Sequence, residues 1–177
     1  FRKGIDRVRR IADWAAERSV PLEFHFVGPV QDPECLQVLR RFRRPYFLHG
    51  VKKGAELKSL VARWDFYLLP SYEEGFPVSV LEAMSAGIPV VVSEDTGATE
   101  AVGGEEVGVV LGFSDPAELE GGFRRLCQDS DYRRESGARA RQRVQTNFSL
   151  DIYRSKIGSL HTAFQAAWAG AGTAGMP

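Results

Sequence analysis

The sequence predicts an α/β fold: a Rossmann-like parallel sheet flanked by helices on both faces. Three observations carry that prediction. Short apolar strands alternate with amphipathic helices along nearly the whole chain, which is how parallel strands joined by helical crossovers read. The segment "IPVVVS", residues 88–93, is continuously apolar and β-branched, the mark of a strand buried on both faces. Strand ends fall at Gly28, Gly50, Pro70-Ser71 and Ser93, and such sheets bind ligands beyond the carboxyl ends of their strands.

The elements follow in order. "GIDRVRRIADWAAERS" spaces Ile5, Val8, Ile11, Ala12, Ala15 and Ala16 as one face of a helix. "PLEFHFVG" alternates Leu22, Phe24 and Phe26 as a strand that stops at Gly28-Pro29. Asp32-Pro33 opens a helix into "ECLQVLRRF", and "PYFLHG" is a short strand ending at Gly50. "GAELKSLVARW" is a helix and "DFYLLP" a strand closed by Pro70. A helix starts at Pro77 and ends before Gly87 and Pro89, leading into the strand at 88–93. "EVGVVLGF" is a strand, and "DPAELEGGFRRLCQD" and "SDYRRESGARARQRVQT" are helices, the second strongly polar. In the last helix Ser149 is the N-cap, and Ile152, Ile157, Leu160, Phe164 and Trp168 form a packing face. Residues 1–168 make one domain; 169–177, without periodicity, are expected to be a disordered tail.

Twenty-three basic and 23 acidic residues in a chain of 177 balance to a net charge of zero, which offers nucleic acid no global attraction. The runs "RVRR" and "RRFRR" read as solvated helix faces. Two isolated cysteines, Cys35 and Cys127, suit reduced thiols of a cytoplasmic protein. His25, His49 and His161 have no zinc-site spacing, and no apolar run is long enough to span a bilayer.

The chemistry concentrates in "PSYEEGFPVSVLEAM", residues 70–84. Gly75 lets backbone approach a ligand, and the amides around Gly75, Phe76 and Val78 open a helix whose N-terminus favours an anion such as a phosphate. Glu74 would repel that phosphate at contact distance, so it is expected to face neutral hydroxyls beside it, such as those of a sugar. Glu82, expected to be buried one turn inside the helix, would need hydrogen-bond donors that a ribose supplies. Ribose, phosphate and sugar in sequence describe a nucleotide sugar. A nicotinamide site is disfavoured, because G-x-G-x-x-G is missing after the first visible strand.

Glu74 and Glu82, set in "EGFPVSVLEAMSAGIPVVVS", resemble the signature of group 1 retaining glycosyltransferases of GT-B architecture. "RKGID", "HFVGP", "FLHGVKKGAELKSLVARWDFYLLPS", "TGATEAV" and "NFSLDIY" match in register, over residues 1 to about 165. The resemblance implies that Glu74 contacts the donor sugar, that Gly75 and Phe76 approach sugar and diphosphate, and that Glu82 binds the ribose. Lys3 would neutralise the leaving diphosphate, and Gly28 and Gly50 would line the nucleotide cleft. It implies hexosyl transfer with retention, no metal and no cofactor beyond the donor. The family's amino-terminal acceptor domain, and a strand bearing a second phosphate ligand, are expected to lie outside this chain, which alone would be inactive. Membrane association through that domain stays open, as do sugar, base and acceptor. The alternative is a non-catalytic nucleotide-sugar-binding module, or pseudo-enzyme subunit, of the same fold.

Overall fold

The computed structural model describes residues 2–104 and 106–171. Helix α1 (Ile5–Glu17) leads to β1 (Phe24–Phe26), α2 (Pro33–Leu39), β2 (Tyr46–Leu48), α3 (Gly54–Val61) and β3 (Tyr67–Leu69). Then come α4 (Val78–Ser85), β4 (Val90–Ser93), α5 (Ala98–Val102), β5 (Gly108–Leu111) and a 3₁₀ turn (Pro116–Glu120). Helices α6 (Gly122–Gln128), α7 (Ser130–Asn147) and α8 (Leu150–Ala171) complete the chain.

All strand pairings are parallel, as the alternation predicts. β1 pairs with β2, Phe24 opposite Tyr46. β4 sits between β3 and β5, with Val90 opposite both Tyr67 and Gly108. These form two hydrogen-bonded sheets of two and three strands, with no ladder between β1 and β3 among the described residues.

β4 shows why its sequence is apolar throughout. Its Val91 enters a core with Val8, Ile11 and Trp14 of α1, Phe24 of β1 and Phe123 of α6. Its Val90 and Val92 point the other way, into a core with Val80, Ala83 and Met84 of α4, Ala98 of α5 and Ala140 of α7. The first core contains residues of both sheets, so the two sheets share one packed layer.

Three expectations are corrected in detail, and one is extended. The single helix expected over 115–129 breaks at Gly121, because two adjacent glycines favour neither helix nor strand. The polar helix α7 buries a stripe of Ser136, Gly137, Ala140 and Val144 against the rest of the fold, a small-residue surface that hydropathy alone does not show. The final helix runs through Ala171, three residues into the segment read as a tail, as its alanines permit; residues 172–177 lie outside the described residues. The face of α8 expected to pack is instead exposed, at 74% for Trp168, because α8 makes no extensive contact with another element among the described residues. Ser149 does cap this helix, accepting from the Ile152 amide at 3.4 Å.

Candidate functional site

The segment after β3 builds the site. Pro70 and Ser71 are buried, and the chain then turns outward through Tyr72 to Gly75. Glu74 pairs with Thr96 in an isolated parallel bridge, and the Gly97 amide donates to the Glu74 carbonyl at 3.1 Å. Position 97 must be glycine for this approach, since an added Cβ would overlap the Gly75 carbonyl oxygen. Phe76 then rests on Phe148, centroids 5.5 Å apart. Pro77, expected from sequence as the first helical residue, is instead the N-cap of α4, which begins one residue later at Val78, and no side chain caps this helix. Its first amides therefore face outward with the positive end of the helix dipole.

Lys3 reaches the same place from the turn just before α1. Gly4, at φ 72°, caps that helix in a left-handed conformation, and a Cβ there would overlap the Pro70 carbonyl oxygen. The Tyr72 amide donates to the Arg2 carbonyl at 3.0 Å, which pins the start of the chain to the end of β3. Lys3 Nζ donates to Glu74 Oε2, and Arg2 stands 3.6 Å from the same oxygen. The hydrogen bond from Lys3 holds the Glu74 carboxyl below the usual carboxylate range. The Lys3 side chain is 59% exposed, and an ion pair so open contributes at most about 1 kcal/mol, so a ligand can separate it at small cost.

The remaining sequence-predicted residues are placed as follows. Gly75, Phe76 and Val78 are exposed around the open end of α4. Glu82 is exposed rather than buried, because α4 turns Val80, Ala83 and Met84 to the core and leaves position 82 outside that face. Its carboxylate makes no hydrogen bond or ion pair among the described residues, so that group is free for solvent or ligand. The Gly28 amide donates to the Gly50 carbonyl at 2.8 Å, joining the ends of β1 and β2. No hydrogen bond ties this pair to Lys3 or Glu74 among the described residues.

Sequence reasoning missed Arg7. Within "RVRR" it was read as solvated, yet it is 7% exposed. It lies four residues before Ile11 and one before Val8, on the face that α1 buries, and that register is the signal that could have found it. Its guanidinium reaches Ser71, Ser93 and Asp95. His25 and His49 stack on one another with 2.9 Å between ring nitrogens. No cluster of three or more metal-ligating side chains occurs among the described residues, and no described helix is long and apolar enough to cross a membrane.

The sequence model of the family described as "Glycosyl transferases group 1" matches residues 1–143. A D-inositol 3-phosphate glycosyltransferase of Salinispora tropica is 38% identical over 117 residues, covering 62% of this chain and 24% of that protein. The N,N'-diacetylbacillosaminyl-diphospho-undecaprenol alpha-1,3-N-acetylgalactosaminyltransferase of Campylobacter jejuni is 31% identical over 106 residues, covering 60% of this chain and 28% of that protein. Among solved structures, the sucrose-phosphate synthase of Thermosynechococcus elongatus superposes with a TM-score of 0.71 at 25% identity, covering 94% of this chain and 43% of that one. The chain thus spans less than half the length of each of these proteins.

Proposed function

The chain belongs to the family of group 1 glycosyl transferases, and from that membership we propose that it binds the nucleotide-sugar donor of a retaining transfer. The observation that carries this reading is the placement of Lys3 and Glu74 together beside the uncapped N-terminus of α4. A diphosphate at that helix end meets open amides, the dipole and the Lys3 ammonium. The ion pair opens as it binds: Lys3 turns to the phosphate, and Glu74 is released to the sugar hydroxyls. Glu82, one turn along the exposed side of α4, takes the ribose.

In this reading the bond from the anomeric carbon to the diphosphate oxygen breaks as the acceptor hydroxyl oxygen bonds to that carbon from the same face. The departing phosphate oxygen accepts the hydroxyl proton. Lys3 stabilises the charge developing on the diphosphate, and Glu74 stabilises the positive charge spreading over the sugar. No metal takes part in these steps.

Calorimetry tests the assignment. Glu82→Ala is expected to weaken binding of a nucleoside diphosphate about 10- to 100-fold, the loss of hydrogen bonds to a charged group. Inorganic pyrophosphate should bind as before. Equal losses for both ligands would remove the ribose from Glu82.

A further inference from the structure

Arg7 is the one buried charged residue among those described, and the donor reading gives it nothing to do. A buried guanidinium is costly unless it is well paired, and here both terminal nitrogens are. One terminal nitrogen, Nη1, donates to the Ser71 carbonyl at 3.0 Å, the Pro70 carbonyl at 3.3 Å and Ser93 Oγ at 2.8 Å. The other, Nη2, donates to Asp95 Oδ2 at 2.7 Å. The Tyr72 ring covers the guanidinium at 3.7 Å, and the Phe113 ring stands 5.0 Å from it.

These acceptors fall on two loops. Pro70 and Ser71 lead into Glu74, and Ser93 and Asp95 lead into Thr96 and Gly97, which hold the Glu74 backbone. Arg7 thus fastens from below the two loops whose alignment sets where the Glu74 carboxylate stands. Helix α4, which carries Glu82, is anchored independently through Val80, Ala83 and Met84 in the opposite core. Loosening Arg7 should therefore disturb the sugar end of the donor and spare the nucleoside end.

We propose that Arg7 is a positioning residue that sets Glu74 for the donor sugar; this rests on the donor-site reading above. A lysine would keep the charge but lacks the planar fork that reaches both loops at once.

The test measures binding to the full-length protein of UDP, GDP and ADP, and of UDP-glucose, GDP-mannose and ADP-glucose. The quantity of interest is the extra affinity that the attached sugar provides. Arg7→Lys should cut that increment about tenfold, and Asp95→Asn about threefold, with nucleoside diphosphate affinity unchanged within about twofold. On a Glu74→Ala background neither substitution should change the increment further, as a double-mutant cycle requires of residues acting through one another. A purely structural role would lower both affinities alike, or persist without Glu74, and either result overturns the proposal. Should Arg7→Lys fail to fold, Asp95→Asn, at a half-open position, carries the same comparison. A wild-type protein that binds none of the six ligands refutes the donor-site reading itself. One that binds nucleoside diphosphates with no sugar increment refutes the role of Glu74, and that of Arg7 with it.

Discussion

The Lys3 hydrogen bond that lowers the Glu74 pKa keeps a carboxylate ionised where donor hydroxyls are expected. Glu74→Ala should lower sugar transfer by the full-length protein far more than it weakens nucleotide binding, because hydrogen bonds to the sugar strengthen as it becomes cationic. Equal losses in turnover and in nucleotide affinity would place Glu74 elsewhere. The His25 pKa is lowered too, but there the shift favours the neutral form. Burial, and after it the neighbouring His49, push its pKa below the ordinary imidazole value of 6.5. The unfolded chain therefore binds more protons than the folded one between the lowered pKa and about 6.5. Stability should rise with pH through that window and fall as pH drops through it. Urea unfolding at pH 7.5 and at pH 5.5 checks this: His25→Phe should flatten the difference, and an unchanged difference would assign it to other groups. The motif glutamates were legible because "EGFP" and "LEAM" fix their residue types and spacing. Their exposure was not, since Glu82 on an apolar helix reads as buried until the packed face of α4 is known.

Two glycines at helix and loop contacts separate packing from function among the elements. Gly137 of α7 lies so close to the α4–β4 turn that a Cβ would overlap the Gly87 carbonyl oxygen. Gly137→Ala should destabilise the fold by about 1–3 kcal/mol, as overpacking does, and leave nucleotide affinity intact. Gly97→Ala should instead impair nucleotide-sugar binding, because the backbone it displaces carries Gly75 and Glu74. Thermal unfolding beside calorimetry for the two variants decides the matter; the same profile for both would show that position 97 is only structural. The strands were readable because apolar alternation and β-branching follow from burial, as β4 demonstrates with valines in opposite cores. Close approaches are harder to read. The stripe of Ser136, Gly137 and Ala140 works by being small, and a polar helix hides it from any hydropathy pattern. Arg7 was hidden likewise among the arginines of "RVRR", since composition cannot tell a buried clamp from a solvated face.

At the scale of the molecule, the described residues present an open surface. Phe76 and Val78 are exposed at the proposed donor site, Val78 by 65%, and the apolar face of α8 from Ile157 to Trp168 is exposed as well. The chain covers 24% and 28% of two relatives and 43% of a solved homologue, so what it does alone is a separate question from what a longer enzyme does. A diphosphate on so open a surface stays wet, and water and salt weaken each charge contact to it. Attack geometry also requires the acceptor to be held against the anomeric carbon, an organisation that lowers barriers by about 7–11 kcal/mol. None of the residues assigned to the donor supplies it. Residues 1–177 alone should therefore bind nucleoside diphosphates weakly and with strong salt dependence, and should transfer no sugar. On addition of nucleotide, chemical-shift changes should concentrate at Lys3, Gly28, Gly50, Glu74 to Val78 and Glu82. Shifts confined to other surfaces, or sugar transfer by the purified 177-residue chain, would show that the donor site lies elsewhere or that the chain itself organises the acceptor.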